Sequence, residues 1–188
     1  MGEHELSEIR TARLTLLPLG VEHADELVGV LDDPALHTFI GGRPETLDEL
    51  RARYARWAAG SPDPGVRWLN WAIRFDAAER LVGTVQATVT DTRAGVAGTG
   101  TGTGTQGNVA GALAEVAWVM GTGWQGRGFA TEAARGLMGW LREEGVRAVV
   151  AHVHPDNVAS ARVARALGLR ATGQKQDDED EWLYTVGN

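Results

Sequence analysis

The residues Gln125-Gly126-Arg127-Gly128-Phe129-Ala130 have the types and spacing of an anion-binding turn. An apolar run, Ala117-Trp118-Val119-Met120, precedes them and reads as a buried strand. A helical pattern follows, with Ala130, Ala133, Ala134, Leu137 and Leu141 on one stripe. Gly126 and Gly128 are free to take positive φ and to let the backbone approach a ligand. Consecutive N–H groups in such a turn form a concave nest, and the helix start adds partial positive charge. A phosphorylated ligand suits that geometry; the bland alternative is a strand-to-helix turn that binds nothing. The P-loop spacing fails, because no Lys-Ser or Lys-Thr follows the last glycine. The dinucleotide spacing fails in this turn as well.

A second segment lies one helix and one strand further on. Arg147-Ala148-Val149-Val150-Ala151-His152-Val153 reads as a strand, and Asn157-Val158-Ala159-Ser160 opens a short helix that ends at Leu167-Gly168. In this order and at this distance, the two segments resemble the ligand-side motifs of the GNAT acyltransferase superfamily. There the first motif opens on Gln or Arg and closes on Gly or Ala. The second reads Asn-x-x-Ser or Asn-x-x-Ala, then Leu-Gly-Phe. Here Leu169 replaces the Phe, and Ala164 stands where many members carry a Tyr that protonates the leaving thiolate.

The resemblance implies transfer of an acetyl group from acetyl-CoA to an amine acceptor. It implies that main-chain groups of Trp118, Val119 and Met120 bind the pantetheine where the strand splays from its neighbour. The N–H groups of Gln125, Gly126, Arg127, Gly128, Phe129 and Ala130, with Thr131 close by, would hold the phosphates. Asn157 would bond the pantetheine amide or cap its helix. A Ser three residues after the Asn, as Ser160 is, resembles the branch of ribosomal-protein N-terminal acetyltransferases, where the hydroxyl can bond the CoA sulfur. Ser160 is accordingly a candidate catalytic residue, the alternative being helix-cap chemistry near Asn157.

Amine attack needs a deprotonated nitrogen, and Glu115 is the candidate general base, with an edge carboxylate or an ammonium partner as alternatives. Arg127 could add a charge-assisted bond to a pyrophosphate or simply be solvated, and Glu132 reads as a partner of the helix dipole. His152 and His154 share a strand face and read as strand-end histidines bonded to backbone or water. They lack Asp or Cys at ligand spacing, so no metal site is proposed. Asp177-Asp178-Glu179-Asp180-Glu181 reads as a solvated hairpin turn or as an attractor of a cationic amine. Trp68 and Trp71 read as core or as pocket lining. With no cysteine to carry an acyl group, transfer should be direct.

The elements that must position these residues follow from pattern. Residues 1–10 read as a frayed lead-in and Arg13–Leu19 as a first strand. Helices are expected at Val21–Leu31 and at Thr46–Ala59, the latter opened by a Thr46/Glu49 capping box. Strands follow at Trp71–Phe75, Leu81–Val89 and Leu113–Met120, then a helix, the strand already described, a helix, and strands at Arg170–Gln174 and Trp182–Val186. This order gives an α+β fold. It matches the GNAT order, a mixed and mostly antiparallel sheet flanked by helices. Residues 1–188 are expected to form one N-acetyltransferase domain, in which the Thr/Gly-rich stretch 94–111 is a flexible hairpin insertion.

Composition narrows the function. A net charge of −7 argues against nucleic-acid binding. The polar N-terminus is no signal peptide, and no apolar run approaches a membrane span, which points to a cytoplasmic protein without membrane attachment. The leading expectation is an acetyl-CoA-dependent N-acetyltransferase acting on a primary amine, either a protein N-terminus or a small molecule. The alternative is a non-catalytic acyl-CoA sensor. Self-association into a homodimer is left open.

Overall fold

The computed structural model describes residues 6–91 and 111–186. The insertion expected at 94–111 lies outside the described residues except for Gly111. Eight strands form one sheet: β1 Ile9–Arg10, β2 Leu14–Pro18, β3 Val66–Phe75, β4 Arg80–Asp91, β5 Ala112–Met120, β6 Val146–Val153, β7 Arg170–Gln176 and β8 Glu179–Thr185. Among the described residues, five α-helices accompany them: α1 Ala24–Val30, α2 His37–Ile40, α3 Leu47–Ala58, α4 Phe129–Glu143 and α5 Val158–Ala166. The strand order is β1-β2-β3-β4-β5-β6-β8-β7. β5 and β6 pair in parallel, as a strand–helix–strand crossover through α4 requires. The pairs β1/β2, β2/β3, β6/β8 and β7/β8 are antiparallel.

The sheet is thus the mixed α+β arrangement expected, and the differences from expectation are local. The lead-in is not all frayed: Ile9 pairs with Leu16, and Trp71 donates its indole N–H to the Ser7 carbonyl at 3.0 Å. The strands expected at Trp71–Phe75 and Leu81–Val89 grow to ten and twelve residues, because pairing carries them past their apolar cores. The helix expected from Val21 begins as a 3₁₀ turn, Val21–His23, in which His23 Nδ1 accepts the Gly20 N–H at 2.9 Å. A short 3₁₀ turn, Pro34–Leu36, and α2 lie outside the expected elements; Asp33 caps the 3₁₀ turn by accepting the Ala35 N–H at 2.8 Å. The Thr46/Glu49 capping box forms, with Thr46 N–H donating to Glu49 Oε2 at 2.8 Å.

The acidic run is only partly a turn. Asp177 and Asp178 make the turn, at positive φ, whereas Glu179, Asp180 and Glu181 lie in β8, and Glu181 is buried. Glu179 pairs with Gln176, Asp180 with Val153 and Lys175, and Glu181 with His152, so cross-strand pairing overrides the low strand preference of acidic residues.

Contacts group the chain into two compact units. The first holds the described residues up to Gly60, Leu69–Gln86 and Trp118–Leu137. Leu27, Leu50, Tyr54 and Ala72 centre its core, and each buried leucine contributes about 1.5–3 kcal/mol of transfer free energy. Trp71, read as core or as pocket lining, is fully buried. At Gly83 of β4 a Cβ would collide with the Val119 carbonyl oxygen, so glycine is what lets the end of β5 seat there. The second unit holds Ser61–Trp68, the described part of Ala87–Ala117, and the chain from Met138. Leu113, Ala148 and Val150 are buried together there against Leu183.

Candidate active site

In the first unit, β5 ends at Met120 and the chain turns twice before α4. Gly121 donates its N–H to the Val82 carbonyl at 2.9 Å, a 3₁₀ turn covers Thr122–Trp124, and Gln125–Gly128 form the exposed turn. Gly126 and Gly128 have φ of 74° and 78°, a region costly for any residue with a Cβ. The Gln125 side chain reaches back to the Met120 carbonyl at 3.1 Å. This ties the start of the turn to the end of the strand and gives the opening Gln a structural role. The turn leads directly into α4, and the first N–H groups of an α-helix have no intrahelical acceptor. Phe129 is buried against Phe75 at 4.9 Å between ring centroids, and Ala130 and Thr131 are half-buried. Arg127 stacks its guanidinium 4.9 Å over the Trp124 ring, an arrangement neither of its expected readings included.

Glu132 does more than sit near a helix dipole. Its carboxylate accepts the Thr11 hydroxyl, the Arg13 N–H and the Arg13 Nε–H, each at 2.7 Å. Burial pushes its pKa up, but these bonds outweigh burial and hold the carboxyl below its usual range. Arg13 also donates from Nη1 to the Arg127 carbonyl at 3.2 Å. A residue just ahead of β2 and 114 positions away in sequence therefore braces the turn. No local motif carries that contact, so sequence reading missed it.

The pantetheine candidates Trp118 and Val119 are half-buried, and Met120 is buried. The β5/β6 register runs from Ala112↔Val146 to Glu115↔Val150 and stops there, although β5 continues to Met120. A cavity of about 430 Å³ lies in the first unit and has Val119 in its wall, together with residues of α1, α3 and the segment between them.

In the second unit Glu115 is exposed on β5 and its Oε1 lies 3.2 Å from His152 Nδ1. The His152 side chain is only 10% exposed. Its hydrogen bond with Glu115 raises its pKa, opposed by burial and aided by the charges of Glu115, Glu181 and Glu179. Glu179 is itself raised, chiefly by burial, with His152 and His154 pulling the other way. The pairing of His152 with a carboxylate overturns its reading as a histidine bonded only to backbone or water. His154 Nδ1 accepts the Asp156 N–H at 3.2 Å, as a strand-end histidine would.

Asn157 caps α5: its Oδ1 accepts the Ser160 N–H at 3.0 Å. The cap uses the Ser160 N–H and leaves the hydroxyl out of that bond. Among the described residues, no group of three or more His, Cys, Asp or Glu could hold a metal ion, and no helix is long and apolar enough to cross a membrane.

Residues 13–170 match the Acetyltransferase (GNAT) domain family, and the chain belongs to that family. A Bacillus subtilis (strain 168) relative, described as the uncharacterized N-acetyltransferase YnaD, is 32% identical over 80 residues. That match covers 38% of this chain and 47% of the relative, so it spans about half of the relative's length. Among solved structures, RimL, the ribosomal L7/L12 alpha-N-protein acetyltransferase in complex with coenzyme A, superposes with a TM-score of 0.71 at 15% identity, covering 96% of this chain and 98% of that one. The aminoglycoside acetyltransferase AAC(6')-Ib in complex with coenzyme A gives a TM-score of 0.69 at 16% identity, covering 92% and 95%. These two likenesses are of fold.

Proposed function

We propose that this chain transfers the acetyl group of acetyl-CoA directly to a primary amine, working as one acetyltransferase domain in the cytoplasm. We assign it to the branch that resembles ribosomal-protein N-terminal acetyltransferases. The observation that carries the reading is the exposed Gln125–Gly128 turn, with two glycines at positive φ on the N-terminus of α4. Such a turn offers a row of N–H donors and partial positive charge to a pyrophosphate.

Acetyl-CoA, when bound, supplies an acyl carbon activated as a thioester. The N–H groups of Gln125–Ala130, with Thr131, hold its phosphates, and the main chain of Trp118–Met120 holds the pantetheine. Glu115, backed by His152 at 3.2 Å, accepts the proton that the amine nitrogen loses as it bonds to the acyl carbon. The carbon–sulfur bond breaks, and the Ser160 hydroxyl hydrogen-bonds the departing sulfur, which takes up a proton. A binding module would have no use for the carboxylate–imidazole pair of Glu115 and His152, and this favours the enzyme over the sensor. Thiol release from acetyl-CoA, measured against a panel of primary amines, tests the proposal. Release that no amine accelerates, in a protein that binds CoA by calorimetry, would leave the sensor standing.

A further inference from the structure

A row of polar side chains crosses four strands of the second unit. Glu115 of β5 pairs with Val150, and His152, two residues further along β6, lies on the same face. Across the β6/β8 ladder His152 stands opposite Glu181, whose Oε1 accepts the Thr172 hydroxyl of β7 at 2.8 Å. Residues directly opposite in an antiparallel pair have Cβ atoms about 4.5–5.5 Å apart, so Glu181 is a near neighbour of the imidazole. The row runs from water inward. Glu115 is half exposed, whereas the His152 side chain is 10% exposed and Glu181 5%.

A buried carboxylate is costly unless its charge is offset, and His152 is placed to offset it. Nε2 of His152 is buried and has no hydrogen-bond partner among the described residues, so water does not solvate a charged ring there. Neighbouring charge must do so instead. The Glu115 hydrogen bond favours the imidazolium against burial, and the charges of Glu115 from β5 and of Glu181 and Glu179 from β8 add to it. His154, on β6 itself, acts on Glu179.

We propose that His152 takes over the amine proton from Glu115, and that Glu181, fixed by Thr172, is a positioning residue that offsets the charge this creates. The Glu115 carboxylate first accepts the proton as the amine nitrogen bonds to the acyl carbon. Glu115 Oε1 lies 3.2 Å from His152 Nδ1 and hands a proton across. Neutral His152, carrying its proton on Nε2, becomes imidazolium, and Glu115 returns to carboxylate. After turnover the proton leaves for water through Glu115, the exposed member of the row. The working base is then an imidazole, whose ordinary pKa of about 6.5 lies nearer neutral pH than the ~4.3 of a glutamate. The proton transfer rests on the acetyl-transfer reading; the charge coupling within the row does not.

The coupling is read by proton NMR, following the Cε1–H of His152 through a pH titration, with His152→Gln to assign the signal. Glu181→Gln lowers the His152 midpoint. Thr172→Val lowers it too, and Thr172→Ser, which keeps the hydroxyl, restores it. This arm needs neither CoA nor an amine. The rate arm measures kcat/KM with acetyl-CoA and the amine of the panel that releases thiol fastest. A base of lower pKa is weaker but free at lower pH. The ratio of Glu181→Gln to wild type, in which the amine's own titration cancels, is therefore roughly a third to a tenth at high pH. It rises as the pH falls through the titration of His152. A midpoint that Glu181→Gln leaves in place overturns the inference, as does a ratio constant with pH, the mark of a merely structural loss. If the midpoint falls while no amine releases thiol, the coupled row stands and the acetyl-transfer reading is what fails.

Discussion

Glu132 Oε2 lies 2.7 Å from both Nε and Nη2 of Arg13, while Oε1 takes the Arg13 N–H at 2.7 Å. The pair joins the first turn of α4 to the start of β2, and Arg13 extends the link to the carbonyl of Arg127. The turn's shape thus depends on a contact made well outside its own sequence. Glu132→Gln should lower stability by about 1–2 kcal/mol, discounted from a fully buried pair because Arg13 is 47% exposed. CoA affinity should drop severalfold with it. Thermal unfolding and calorimetric CoA titration measure the two effects together, and a change in neither would show that the brace is idle.

Gly128→Val should weaken CoA binding tenfold or more while the fold survives. The residue sits at φ 78°, which a β-branched side chain avoids, so the turn must rearrange where the phosphates approach. Nothing nearer than Arg13 Nη2, at 3.6 Å, would meet the new Cβ, so backbone conformation and not crowding carries the effect. Unaltered CoA affinity in a folded variant would remove the turn from the site.

His152 predicts two pH dependences. Its folded pKa is raised above 6.5, so the stability from its pairing with Glu115 is fully present below about pH 6.5 and is lost as pH rises through the folded value. Glu115 is half exposed, which keeps the contribution under about 1 kcal/mol. The Tm difference between wild type and His152→Gln should therefore narrow from pH 6 to pH 9. In catalysis, Glu115→Gln should lower kcat/KM most below about pH 8 for an α-amino acceptor, where the amine must shed a proton. Parallel pH–rate profiles for the variant and the wild type would deny Glu115 the role of base.

Ser160→Ala should slow the chemical step roughly ten- to a hundredfold and leave CoA affinity close to wild type. The Asn157 cap survives the change because it uses the backbone N–H, so the Tm should hold. Pre-steady-state measurement of thiol release separates this from a loss of binding.

Gly83→Ala should cost about 1–3 kcal/mol and reduce CoA affinity, since a Cβ would press on the Val119 carbonyl and displace the end of β5. Unfolding midpoints and titration check both effects; a neutral substitution would mean that the strand end yields freely.

What could be read in advance follows the range of the interaction that fixes each element. The Thr46/Glu49 box and the Asn157 cap form within three residues, and the two glycines of the turn take the φ their placement demanded. Ile9–Arg10 and Glu179–Glu181 are strands by pairing with Thr15–Leu16 and with β6 and β7, which local preference cannot reveal. Glu132 had a plausible local role as a dipole partner, and this concealed a tether 119 residues away in sequence. The pair of Glu115 and His152 went unseen for the same reason, being 37 residues apart and brought together by the β5/β6 register.

One edge of the sheet carries a further consequence. β7 is the outermost strand beside β8, and its pairing skips from Ala171↔Trp182 to Lys175↔Asp180, with Gly173 at φ 81° in the interruption. An extended segment arriving from another molecule meets two short stretches of ladder instead of one continuous template, and the second of them carries a lysine. The irregularity is a safeguard in crowded solution: it withholds from a stray chain the straight run of donors and acceptors on which fibrils nucleate.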